Sequence, residues 1–148
     1  MHVSKLLAVA AIAVVGVTTS ALADVAAQRD KLMWMSGGAM GALGAMAKGE
    51  TEFDARLAAV GFQAMNTVAT VFGDYYPEGS QSTEGKFYGS PKIWEDRAGF
   101  EAAIAEFAKV TAAAMEAKPA DKDAFLAVFG PVGKACGACH EKYRVKVE

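Results

Sequence analysis

Near the end of the chain stands Cys136-Gly137-Ala138-Cys139-His140, and the reading of these residues decides the rest. The pattern Cys-x-x-Cys-His is the attachment sequence of a c-type haem. On a helix, Cys139 follows Cys136 by three residues and His140 follows it by four, so the three side chains share one face. Two thiols on that face can add to the two vinyl groups of a haem and form two thioethers. The imidazole beside them can then reach the iron as the proximal ligand. Gly137 and Ala138 keep the space between the thiols small, so a flat macrocycle can lie against the backbone. The expectation is one haem c per chain, bound covalently through Cys136 and Cys139, with His140 on the iron.

Two rival readings fit the chain less well. A thioredoxin-like dithiol opens a helix after a strand in a βαβ setting, and no such pattern surrounds Cys136. A structural zinc site needs four ligands. The sequence offers Cys136, Cys139 and His140, because it has no other Cys and its second His, His2, falls in a segment expected to be removed.

The helix that carries the motif should start at Asp121 or Asp123 and run to about Val145, with Pro131 inside it removing the bond to the Ala127 carbonyl and kinking it. Ahead of it, Ser90-Pro91 should open a helix that ends before Lys118-Pro119, Ser as N-cap and Pro in the first turn. Ile93, Trp94, Phe100, Ile104, Phe107 and Val110 give that helix its apolar face. From Asp74 to Ser90 periodicity is lost and Tyr, Pro, Gly and Ser gather, which reads as a long connection pinned by Tyr75, Tyr76, Phe87 and Tyr88. A helix from about Asp54 to Phe72 precedes it, with Asp54 as N-cap, Gly73 as breaker, and Leu57, Val60, Gly61, Ala64, Val68 and Val71 on its buried side. The first helix should span about Val25 to Ala47, striped by Leu32, Met35, Ala39, Leu43 and Met46 and stopped at Lys48-Gly49. Four such helices, joined by short connections except the one between the second and third, predict an all-α, antiparallel four-helix bundle.

The chain opens with Met1-His2-Val3-Ser4-Lys5, an apolar run from Leu6 to Val17, and Ala21-Leu22-Ala23. That is the pattern of a secretory signal peptide, and the run is short of the ~20 residues that span a bilayer. Cleavage after Ala23 would divide the 148 residues into a leader (1–23) and one domain (24–148), with no membrane attachment left. Losing Lys5 takes the formal net charge from −2 to −3. So near-neutral a balance gives no sign of nucleic-acid binding, which favours a strongly basic patch. Haem of this type is attached outside the bacterial cytoplasm, so a periplasmic protein handled by a cytochrome c maturation machinery is expected.

Taken together, the mature chain resembles the class II c-type cytochromes, the cytochrome c′ family. The resemblance rests on Pro77-Glu78-Gly79-Ser80, on Ser90-Pro91-Lys92-Ile93-Trp94, and most specifically on Val132-Gly133-Lys134-Ala135-Cys136-Gly137-Ala138-Cys139-His140-Glu141-Lys142-Tyr143-Arg144. Members of this family are themselves examples of the four-helix bundle, so that architecture is also implied by the resemblance. The family has two branches. One leaves the distal face of the iron open and high-spin and binds nitric oxide or carbon monoxide. The other fills the sixth position with a methionine from the first helix and carries electrons. The stretches Gly44-Ala45-Met46-Ala47-Lys48-Gly49-Glu50 and Lys92-Ile93-Trp94-Glu95-Asp96-Arg97 look closer to the second, and Leu32-Met33 stands at the family's distal position.

The residues alone leave the sixth ligand open. With His140 as the one histidine of the mature chain, a thioether is the natural remaining neutral ligand. Met33 and Met40 are seven apart and share a helix face, Met35 points elsewhere, and Gly37 leaves room for a macrocycle. The candidates are ligation by Met33, an open or merely Met-covered face, and ligation by Met40. The resemblance further implies Arg29 near a haem propionate, Arg144 on the proximal side, and a homodimer through the first two helices, which a Gly- and Ala-rich first helix permits. Trp94 and Tyr143 read as core packing. Lys134, Lys142, Arg144 and Lys146 gather near the haem end, where they could steer an acidic redox partner. No nucleophile or acid–base pair stands out, so the reading is an electron carrier, not an enzyme.

Overall fold

The computed structural model describes residues 15–83 and 87–146, with side chains from Val25 onward except Phe87. The start of the expected leader, and the side chain of Phe87 as a pin for the connection, lie outside the described residues. Helix α1 (Val15–Lys48) is continuous through Ala23 and Asp24 and so extends ahead of the start expected at Val25. Alanines at 21, 23, 26 and 27 are the strongest helix formers and carry the helix through that stretch. It stops at Gly49, whose φ of 77° lies in the left-handed region that glycine enters at no steric cost.

Helix α2 (Ala55–Val71) is capped by Asp54, whose carboxylate accepts from the backbone N–H of Arg56 at 2.8 Å and of Leu57 at 3.0 Å. Its buried face is Ala58, Gly61, Phe62, Met65, Val68 and Ala69. Two residues expected there face solvent instead: Leu57 is 43% exposed and Val60 63%. The helix is apolar around much of its circumference, and Gly61 selects the inward side. A Cβ on Gly61 would stand 3.1 Å from the buried Leu43 side chain, so α1 and α2 approach where no side chain intervenes.

The connection is more regular than its composition suggests. A 3-10 turn covers Phe72–Tyr75, with Gly73 inside it instead of ending the helix, and strand β1 (Phe87–Gly89) follows. The helix expected from Ser90 is in fact two. Helix α3 (Lys92–Glu95) has Pro91 at the cap position itself, with Ser90 Oγ accepting from Lys92 N at 3.3 Å. Helix α4 (Arg97–Ala117) starts afresh after Asp96, which leaves helical geometry at φ −127°, ψ 59°. The cause of the break is the Asp96 side chain. Its carboxylate accepts from Gly99 N at 3.2 Å, from the Tyr143 hydroxyl at 3.0 Å, and from Lys142 Nζ.

Helix α5 (Lys122–Tyr143) is capped by Asp121, which accepts from Ala124 N at 2.9 Å, and it continues through Pro131. It ends at Tyr143 and not at Val145, because residues 144–146 pair elsewhere. Strand β2 (Arg144–Lys146) lies antiparallel to β1, with Phe87 opposite Lys146, Tyr88 opposite Val145 and Gly89 opposite Arg144.

Helix α1 packs on α2 and α5, and α4 packs on the same two, which closes the four long helices into a bundle. The core falls into two clusters. One joins Leu43, Met46, Ala58, Phe62, Met65, Ala114, Phe125 and Val132. The other, at the end spanned by the long connection, joins Val68, Phe72, Tyr76, Ile93, Phe100 and Tyr143.

The donors around Asp96 hold its carboxyl below the usual carboxylate range, Lys142 first, then Tyr143 and Gly99 N. A lowered folded-state value means that this contribution to stability is present above the unfolded value, about pH 4, and is lost as pH falls through the folded one. Asp96→Asn should therefore be less stable than the parent in urea titrations at pH 7, and the gap should narrow below about pH 4. A gap of equal size at both pH values would show that the charge plays no part.

Candidate functional site

Cys136, Cys139 and His140 stand half-buried on the inward side of α5, while Gly137 and Ala138 between them face outward. The expected sharing of a face is thus observed. The motif also bridges the two halves of the core, Cys136 packing on the first cluster and Cys139 on the second. On the facing helix, α1 supplies Met33 to the cluster that holds Cys139 and Met40 to the cluster that holds Cys136. Met35 is 42% exposed and contributes to neither.

Electrostatics at the motif fit a thiol-bound group better than a reactive dithiol. Both cysteines are free. Burial pushes Cys136 up to about 11, with the neighbouring Cys139 adding to the effect, and burial raises Cys139 as well. A redox dithiol needs the opposite shift, toward thiolate. Burial first, then the charge of Arg144, lowers His140, so the imidazole is neutral and its lone pair is available to a metal.

A third observation is the hydroxyl of Ser36. It lies on α1 between Met33 and Met40, is 8% exposed, and its Oγ has no hydrogen-bond partner among the described residues. Leaving such a group unpaired costs about 1–3 kcal/mol, so a water or a bound group is the natural partner for it. Space is present too: Gly44 on α1 and Gly133 on α5 are half-buried, yet a Cβ on either would meet nothing within 4 Å. Two thiols, a neutral imidazole, an orphaned hydroxyl and glycine-lined space between α1 and α5 all suit a haem.

A sequence profile described as "Cytochrome C'" matches residues 24–144. The chain belongs to the cytochrome c′ family. It is 37% identical over 126 residues to the cytochrome c-556 of Rhodopseudomonas palustris, covering 83% of this chain and 84% of that one. Among solved structures it is similar to cytochrome c′ from Rhodopseudomonas palustris, with a TM-score of 0.78 and 32% identity over 84% of this chain and 98% of the other. The NMR-validated structural model of oxidized R. palustris cytochrome c556 gives 0.74 and 34%, over 84% and 98%. As a cytochrome of this family the protein carries covalently attached haem c and transfers single electrons to and from redox partners, and is not an enzyme. No helix among the described residues is long and apolar enough to cross a membrane.

The structure gives Arg29 partners in the long connection. Its guanidinium, expected beside a propionate, serves that connection. Arg29 donates to the Tyr75 carbonyl, to the Ser80 carbonyl at 2.8 Å and to Ser80 Oγ. It also lies over the Tyr76 ring, 4.2 Å from the centroid. Trp94 helps from the other side, its Nε1 donating to the Pro77 carbonyl at 3.1 Å. Tyr143 is buried as expected, edge-on to Phe100 at 5.3 Å, and its hydroxyl also holds Asp96. Arg144 is the first residue of β2, not a further turn of α5, though its N–H still donates to the His140 carbonyl. The sequence reading missed Asp96 and Ser36, a charged and a small polar residue whose roles depend on partners distant in the chain or outside it.

Arg29→Ala should loosen residues 75–80 ahead of the rest of the bundle. We expect a loss of about 2–3 kcal/mol, from the charge-assisted bonds removed, read as faster amide exchange confined first to that segment. Uniformly faster exchange over the whole chain would mean that Arg29 does not act as a local clamp.

Proposed function

We infer that this protein is a periplasmic electron carrier whose haem is held by Cys136 and Cys139, with His140 and Met33 as the axial ligands. One observation carries the choice of Met33: α1 sets it, half-buried, in the same cluster as Cys139, the residue next to His140. Met40 packs with Cys136, four residues before the histidine, in the other cluster. Haem supplies the one-electron iron couple when bound. The chain's own residues fix its surroundings. Cys136 and Cys139 anchor it from α5, His140 offers a neutral imidazole, and Met33 offers a thioether from α1. Arg29 and Asp96 hold the covering connection and the end of α5 in place.

Residues outside the core give the protein its partners. Lys134 and Lys146 are exposed near the motif, beside Lys142, which pairs with Asp96. This favours docking of an acidic periplasmic redox protein. On the bundle surface Trp34 is 84% exposed, and Leu57 and Val60 are exposed as well, on the two helices expected to form a homodimer. Export rests on the leader pattern of residues 1–23, and the family match begins at residue 24.

Mass spectrometry tests several of these points on one sample purified from the periplasm. Under denaturing conditions the mass should equal residues 24–148 plus one haem. A colourless protein, or haem lost on denaturation, would defeat covalent attachment. The native mass should be twice that value, and a single-chain mass would end the dimer.

Met33→Ala tests the ligand and the function together. The parent should be low-spin and indifferent to carbon monoxide. The variant should turn high-spin, bind carbon monoxide, and lose more than about 59 mV of midpoint potential, a tenfold change in the redox ratio, because thioether ligation favours ferrous iron. If the parent already binds carbon monoxide, the gas-binding role of the other branch replaces the carrier. A variant that stays low-spin and unreactive directs attention to Met40.

A further inference from the structure

Helix α3 is tied at both ends to the helix that carries the motif. Ahead of it, the N–H of Ser90 donates to the Tyr143 carbonyl at 2.9 Å. Behind it, Asp96 accepts from Lys142 and from the Tyr143 hydroxyl. A cleft of about 380 Å³ lies where the two elements meet, lined by Lys92, Ala138, Glu141 and Lys142. Lys92 is exposed and has no ion-pair partner among the described residues, whereas Lys142 pairs with Asp96. Charge is also spread unevenly along the chain. Residues 24–132 carry ten basic and fifteen acidic side chains, but residues 133–146 carry Lys134, Lys142, Arg144 and Lys146 against Glu141 alone. The segment around the motif is thus positive within a chain that is net negative. Such asymmetry turns a diffusing molecule so that its positive side meets a negative partner first.

We propose that this cleft is the docking surface of the carrier and that it receives a surface carboxylate of an acidic redox protein. The proposal deepens the electron-carrier reading and rests on it. The charges within the cleft nearly balance, so the wider segment supplies the attraction and the cleft supplies the seat, with the Lys92 ammonium group offered to the arriving carboxylate. Ala138 is small and exposed, and Gly137 has no side chain, so a partner can approach the α5 backbone closely there. Both lie between Cys136 and Cys139, which on that reading hold the haem from the inward side of the same helix. Electron transfer slows steeply with distance, and a partner seated here is separated from the thioethers by one turn of backbone. With α3 fixed at both ends, the cleft is formed before the partner arrives, which lowers the cost of binding.

The test uses the intact reduced holoprotein and two one-electron oxidants, the anion hexacyanoferrate(III) and the cation tris(phenanthroline)cobalt(III). One electron passes from the protein to the complex, and no bond is made or broken. The ratio of the two rates is read, because a change of midpoint potential moves both in the same direction, whereas a change of charge at the docking surface moves them oppositely. At 0.1 M salt Lys92→Glu should lower the anion-to-cation ratio at least about fivefold, and Glu141→Lys should raise it. Lys122→Glu, the same charge change about 24 Å along α5, should leave the ratio within about twofold, since the screening length is about 10 Å. The parent rate with hexacyanoferrate should fall as salt rises, although the chain as a whole is negative. A rise with salt would overturn the proposal, because repulsion by the whole molecule would then govern the encounter. So would equal responses at Lys92 and Lys122, or a ratio that follows only one of the two cleft charges. A parent that reacts with both complexes but ignores Lys92→Glu and Glu141→Lys sinks the docking surface and leaves the carrier standing. A parent that exchanges electrons with neither complex sinks the carrier reading itself.

Discussion

A single carboxylate, that of Asp96, decides how the motif end of this bundle is built. It accepts from a backbone amide of its own helix, from a phenol and from an ammonium group, the last two on α5. Meeting all three donors takes Asp96 out of helical geometry and divides the third helical segment of the sequence into α3 and α4. Gly99 makes this feasible, since a side chain there would collide with the carboxylate and with the Tyr143 hydroxyl. The same contacts fix the end of α5 against the start of α4. The level of Cys139 and His140 in the bundle follows from that.

A second anchor works on the same end from α1. Arg29 carries a buried positive charge whose described partners are two carbonyls, a hydroxyl and the face of Tyr76. Burial pulls its pKa down, but a guanidinium remains charged in such surroundings. Charge-assisted bonds of this kind are stronger than neutral ones, and here they tie the backbone of the connection to α1. Around these anchors Phe72, Tyr76, Phe100 and Tyr143 meet edge-on, at ring separations of 4.8 to 5.3 Å. The end spanned by the connection is therefore ordered by aromatic and polar contacts, whereas the other end is packed largely with aliphatic side chains, methionine and phenylalanine.

The features legible in the sequence are those set by local chemistry. Asp54 and Asp121 announce their helices because a cap is satisfied within three residues. Gly49 announces a stop for the same reason. The attachment motif is legible because its spacing is itself the geometry. What escaped notice depends on distant partners. Asp96 reads as one more solvated acid until Lys142 and Tyr143 arrive from α5. Strands of three residues are too short for an alternation to register, so β1 and β2 were hidden in a loop and in the last turn of a helix. The face of α2 was misjudged because both flanks of Gly61 are apolar, and contact with Leu43 decides between them. The bonds of Arg29 to Tyr75 and Ser80 were likewise out of reach, because they span 46 and 51 residues.

The pairing of β1 with β2 changes what the end of the chain is. Gly89 lies opposite Arg144, and the N–H of Ser90 donates to the carbonyl of Tyr143 at 2.9 Å. Residues 87–146 thus form a ring, fastened by a clasp three residues wide on each side, with α3, α4 and all of α5 strung along it. Fastening a long loop limits its freedom at an entropic cost that grows only slowly with length, so a short clasp suffices for a long circuit. Residues 144–146 are accordingly no loose tail. A chain cut short before Arg144 would lose the clasp, and the segment bearing both thiols and the histidine would pass from a closed circuit to an open strand end.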